Sequence, residues 1–179
     1  MMSYQLPQEV IDEVLSSDPH LSAAIEAVYN LLEGNETAEE YHRRHMTSSL
    51  GVLTAYSPIQ ARRIVKPLRG RILNRTVVEI GAGVGLVALE LAKYSPKVFA
   101  IESDPAWAWI FTEHLYAAKP PHLTWIFGRA EEVSPWLRAD VAVIVTRSGH
   151  AGMKQVARRM ANEVIDVYEE NPMLNHSEL

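Results

Sequence analysis

The chain has 179 residues, 47% of them hydrophobic, with 17 basic and 22 acidic side chains and a formal net charge of −5. That size supports one substantial core, and the charge excludes a global positive field that would draw the chain to nucleic acid or anionic lipid, so any such contact has to be local. Cysteine is absent, which excludes disulfides, thiolate metal sites and a cysteine nucleophile.

In chain order, PQEVIDEVL sets Val10, Ile11, Val14 and Leu15 on one helical stripe, with Pro7 suited to a first turn. A second helix is expected in SDPHLSAAIEAVYNLLEG, where Leu21, Ile25, Val28, Leu31 and Leu32 recur at helical intervals before Gly34. SSLGVLTAYSP reads as a loop or a short extended piece, and SPIQARRIVKPL as a helix started by Ser57 and Pro58. Beyond Thr76 the pattern alternates. TVVEI, KVFAIE, LTWIF and DVAVIV are strand candidates, separated by the helical stretches LVALELAKY, AWAWIFTEHLYAA and EEVSPWL, and a final helix is expected from about residue 151 to 170. Alternation of this kind implies crossover units, hence an α/β fold with a mostly parallel Rossmann-like sheet covered by helices on both faces. The expected organisation is a helical region over 1–56 serving as cap or lid, an α/β domain over 57–170 and a loose tail over 171–179. No run reaches bilayer length and the charged N-terminus does not resemble a leader, so a cytoplasmic protein without membrane contact is expected.

The most informative stretch is VVEIGAGVGL at 77–86: a buried strand, then Gly81, Gly83 and Gly85 at alternate positions, then a helix start. Glycines let the backbone take positive φ and let a ligand approach, while the helix offers unpaired N–H groups to polar parts of a nucleotide. Two cofactor patterns fit. Gly83-x-Gly85-x-x-Ala88, with Glu102 nineteen residues beyond Gly83, matches a dinucleotide fingerprint and would suit NAD. Glu79-x-Gly81-x-Gly83-x-Gly85, with Glu102 closing the next strand, resembles the class I S-adenosylmethionine-dependent methyltransferases. An acid in front of the glycines can hold an ammonium group but repels a pyrophosphate.

IFGRAEEV at 126–133 and ADVAVIV followed by Thr146 resemble the third-strand and fourth-strand regions of the same family, so that the likeness covers residues 57–168. The resemblance implies that Gly81, Ala82, Gly83 and Gly85 cradle the methionine portion and that Glu79 orients its amino group. It implies further that Glu102 accepts from the ribose hydroxyls, with Ser103 or Asp104 beside the adenine and Ala130 and Glu131 lining its far end. Thr146 would face the methyl donor. The implied cofactor is S-adenosylmethionine, leaving S-adenosylhomocysteine, with an unidentified methyl acceptor; a non-catalytic sensor or subunit and an NAD-binding oxidoreductase are the alternatives. Arg129 stands where the family often has an adenine-reading aspartate. The stretch TRSGHAG lacks the Asn-Pro-Pro-Tyr-like motif of amino methyltransferases.

Transfer from an activated sulfonium can proceed by proximity and orientation, so a catalytic side chain is optional; if a base is used, His150 is the best-placed candidate, with Arg147 and Ser148 beside it. One helix after the fourth strand candidate leaves no fifth strand and no C-terminal hairpin, so the chain reads as a shortened member whose fourth strand has an open edge, to be covered by the N-terminal helices, a second copy or a partner subunit. His42 and His45 share a helical face without a third ligand, so no metal is expected, and with Tyr41 they could form part of a lid. Arg62, Arg63, Lys66, Arg69, Arg71 and Arg75 form an acid-free cluster that could contact RNA phosphates or an acidic partner. Trp107, Trp109 and Phe111 read as core and edge-packing residues.

Overall fold

The computed structural model describes residues 19–33, 58–145 and 152–171. The helix expected from Pro7, the histidine pair with Tyr41, Thr146, His150 and most of the tail lie outside these residues.

Helix α1 (Pro19–Glu33) is followed among the described residues by α2 (Pro58–Val65), which continues through a 3-10 turn (Lys66–Leu68) into α3 (Arg69–Ile72). Then come β1 (Thr76–Ile80), α4 (Leu86–Leu91), β2 (Lys97–Glu102), α5 (Pro105–Ile110), β3 (Leu123–Phe127), α6 (Ala130–Val133) and β4 (Ala139–Ile144). The described residues end with α7 (Met153–Met160), β5 (Ala161–Asp166) and α8 (Val167–Glu170). All five strands are parallel, in the order β3-β2-β1-β4-β5. The α/β architecture expected from the alternating pattern is therefore the one the chain adopts.

One expectation is corrected. The single helix expected over 151–170 is α7, β5 and α8, and the fifth strand thought to be missing lies beside β4, pairing Val141 with Glu163 and Ile144 with Asp166. Met153, Val156, Ala157, Met160, Val164 and Tyr168 keep helical spacing straight through the junction, so periodicity alone runs the helix on. Pairing along β4 decides instead, because it satisfies backbone groups of both strands while burying Ile165. The edge of β4 is thereby closed, and the argument for self-association at that edge falls away.

Alternation along the strands divides the core into two. On one face Val77, Val98, Ala100, Leu123, Val141 and Val143 meet residues of α1, α2, α4 and α5. On the other, Val78, Ile80, Ile101, Ala142 and Ile144 meet α6 and α7. Ala24, Ile25 and Val28 bring α1 into the first cluster, where it packs on α5 and on the wider π-helical turn Phe111–Leu115 that continues α5. Trp107 and Phe111 are buried as expected, whereas Trp109 is 43% exposed.

Candidate functional site

The strand order reverses direction at β1: the chain moves outward through β2 and β3, then crosses back to place β4 on the other side. In open parallel sheets a crevice forms at such a switch point, outside the carboxyl ends of the strands. The glycine loop follows β1 at that end, and Glu102 closes β2 beside it.

The loop is shaped by three glycines with positive φ: 77° at Gly81, 58° at Gly83 and 95° at Gly85. Gly81 and Ala82 both donate their backbone N–H to the Ile101 carbonyl at 3.0 Å, which ties the loop to β2. Gly83 has open space where a Cβ would stand, with no atom within 4 Å. Gly85 is different. A Cβ there would lie 2.5 Å from Phe111 Cδ2 and 3.3 Å from Trp125 Cζ3. Phe111 and Trp125 stack with ring centroids 3.8 Å apart and 12° between their planes. Gly85 thus begins α4 in a left-handed conformation directly against an aromatic pair, a packing role that spacing did not reveal.

Glu79 and Glu102 share one face of the sheet. Glu79 pairs with Ala100, and Glu102 lies two residues farther along β2, so the carboxylates are diagonal neighbours near the carboxyl ends of β1 and β2. Both are buried, at 1% and 6% exposure. Oε2 of Glu79 has no hydrogen-bond partner in the structure. Burial, and secondarily the charge of Glu102, push the Glu79 carboxyl well above the usual carboxylate range. Glu102 accepts from Gly83 N–H at 2.5 Å through Oε2 and from Asp104 N–H at 2.7 Å through Oε1. Burial pushes its carboxyl up to about 7, with those backbone donors acting in the opposite direction. A buried acid with an unmet acceptor, beside a second acid that already holds the glycine loop, has the chemistry to accept a cation and hydrogen-bond donors.

Among the remaining expected positions, Ser103 is exposed and Asp104 caps α5 by accepting from Ala106 N–H at 2.9 Å. Gly128 N–H donates to the Glu102 carbonyl at 2.9 Å, bringing the turn after β3 alongside the end of β2. Beyond that turn, Ala130 is buried in the second core cluster. Glu131 stays half exposed, with an oxygen 3.8 Å from Arg129 Nε. The glycine loop, Glu79, Glu102 and the start of the 128–131 turn therefore come together. The basic cluster does not remain whole: Arg71 and Arg75 both pair with Glu163, at 2.6 and 2.5 Å, and Arg71 also pairs with Glu170. Among the described residues no group of acids and histidines could hold a metal ion, and no helix is long and apolar enough to cross a membrane.

A solved structure from Pyrococcus horikoshii, described as a candidate RNA methyltransferase, matches 58% of this chain and 56% of its own at 20% identity, with a TM-score of 0.50. The two share a Rossmann-like α/β fold with a parallel sheet. Among curated proteins, the probable ribosomal RNA small subunit methyltransferase A of Pyrobaculum aerophilum is 45% identical over 67 residues, 37% of this chain and 27% of that protein. The protein of the same name from Pyrobaculum islandicum is 40% identical over 67 residues, 37% of this chain and 26% of its own length. The chain thus spans about a quarter of the length of these methyltransferase relatives. No family model matches it.

Proposed function

We propose that this chain binds S-adenosylmethionine at the carboxyl ends of β1 and β2 and directs its methyl group to an RNA acceptor. The observation that carries the reading is the unmet, fully buried Glu79 Oε2 beneath a glycine loop whose Gly83 leaves open space. An amino acid ammonium would give that oxygen its missing donor and offset the burial of its charge. Glu102 would accept from ribose hydroxyls with its remaining lone pairs while still holding Gly83 and Asp104. Gly81 and Ala82 would contribute backbone surface, and Gly128 to Glu131 with Ser103 would border the adenine. Thr146 would face the methyl donor, and His150 would be the base where the acceptor needs one. Glu79 argues against NAD(H), since a pyrophosphate at the glycine loop would meet a buried carboxylate where it needs donors.

When bound, S-adenosylmethionine supplies an already activated methyl group. What the chain has to provide is orientation and a dry, fixed surface, because a methyl transfer of this kind gains most from proximity. The RNA acceptor is drawn from the names of the relatives. Incubation with methyl-tritiated S-adenosylmethionine and small-subunit ribosomal RNA tests both parts. Label in RNA, lost in Glu79→Ala, supports the reading. Binding of the cofactor with no transfer to RNA or to a protein extract would instead indicate a sensor or subunit.

A further inference from the structure

We propose that the exposed face of α2 and its continuation through α3 is the surface that holds the phosphate backbone of an RNA. This extends the reading that the acceptor is RNA, but it stands on separate residues.

From Pro58 to Arg75 the sequence carries six cations and no acid in a chain whose net charge is −5, so positive charge is concentrated here. The fold sorts those cations into two groups. Arg71 and Arg75, each about a third exposed, pair with Glu163, and Arg71 also with Glu170, so they tie their segment to β5 and α8. Arg62, Arg63, Lys66 and Arg69 are all exposed, while Gln60, Ala61, Ile64, Val65 and Leu68 between them are buried. The steps from 62 to 66 to 69 are the four-residue and three-residue spacings that align side chains on one helical face. The Arg69 guanidinium lies 4.8 Å from the centre of the Tyr94 ring, which fixes its position on the surface.

Arg62 to Arg69 covers about 10 Å of axis, enough to meet more than one phosphate of a strand. α2 packs directly on α4, whose first turn follows the glycine loop, while Arg69 stands at the far end of that helix beside Tyr94, so the cations run along the α2–α4 layer from the loop's side toward the opposite edge of the sheet. Local cations of one sign on an otherwise acidic protein select a polyanion by charge alone, and phosphate contacts of this kind position a strand without reading its sequence.

The test is fluorescence anisotropy with 5′-labelled oligouridylate and, separately, labelled small-subunit ribosomal RNA, across a salt series. Four contacts to a single strand give a log–log salt slope near −2.8, so parent affinity should fall roughly fifty-fold between about 50 and 200 mM salt. Arg62→Gln/Arg63→Gln should bring that fall to roughly seven-fold, and adding Lys66→Gln and Arg69→Gln should remove most of it. Arg158→Gln/Arg159→Gln on α7, on the opposite face of the sheet, should leave the slope near the parent value. Circular dichroism and retained S-adenosylmethionine binding show that each variant is folded. The proposal is overturned if the parent binds neither RNA, if it binds polyglutamate better than RNA, or if the α2 variants keep the parent slope. A parent that binds RNA through this face but does not bind S-adenosylmethionine would overturn the proposed function and leave the surface intact.

Discussion

Gly85→Ala should destabilise the protein far more than Gly83→Ala, although both lie in one loop with positive φ. At Gly83 a methyl group meets no atom within 4 Å, so the cost is the left-handed backbone alone, about 1–2 kcal/mol. At Gly85, φ is 95° and the methyl would stand 2.5 Å from Phe111 Cδ2 and 2.8 Å from Cε2, well inside the usual carbon contact of about 3.5–4.0 Å. Phe111 has no room to retreat, being fully buried and stacked on Trp125. Overpacking of that kind costs about 1–3 kcal/mol beyond the backbone cost, for a combined loss of about 2–5 kcal/mol. For a domain of this size that lowers Tm by about 4–20 °C. Urea unfolding of the two variants measures the difference directly. Phe111→Leu should partly rescue Gly85→Ala, because the two changes share one contact. Equal stabilities for the two glycine variants, or no coupling to Phe111, would refute the close packing on which the loop's shape depends.

Three further outcomes follow from the acids. Glu79→Met should raise the stability of the ligand-free protein at pH 8 by about 1–3 kcal/mol, because a buried unpartnered carboxyl is removed, while abolishing calorimetric S-adenosylmethionine binding. The folded Glu102 carboxyl holds its proton up to about 7 against an ordinary value of 4.5. Its contribution to stability is therefore greatest below 4.5 and is lost as pH rises toward 7, by about 3 kcal/mol; the slope of unfolding free energy over that window should flatten in Glu102→Gln. Glu163 has the opposite sign. Arg75 and Arg71 hold its carboxyl below the ordinary range, so its pairing stabilises above pH 4.5 and is lost below it. With all three side chains about a third exposed, Glu163→Ala should cost only about 1 kcal/mol, and less in high salt, as read by thermal unfolding.

Where local chemistry decides structure, the sequence is readable. TVVEI, KVFAIE and LTWIF form strands over those very residues, because each is a short apolar or β-branched run bounded by turn signals. Glu79, the glycines and Glu102 come together because consecutive parallel strands place their carboxyl ends side by side. β5 is hidden, since ANEVID continues the helical spacing of the preceding residues and only its pairing with β4 makes it a strand. The function of Gly85 is hidden for a similar reason: Phe111 and Trp125 reach it from separate elements, and nothing in the local motif signals them. The basic cluster looks uniform in sequence, and the ion pairs that Arg71 and Arg75 make with the distant Glu163 and Glu170 carry no local signal.

The most direct measurement is calorimetric titration of the protein with S-adenosylmethionine, S-adenosylhomocysteine and NAD(H) in parallel at pH 6, each in two buffers of different ionisation enthalpy. The expected result is binding of the first two and not NAD(H), with protons released on binding of S-adenosylmethionine as Glu79 and Glu102 ionise against it, and with affinity lost in Glu79→Ala. NAD(H) binding alone, or S-adenosylmethionine binding that is indifferent to Glu79 and releases no proton, would contradict the assignment of this crevice as a methyl-donor site.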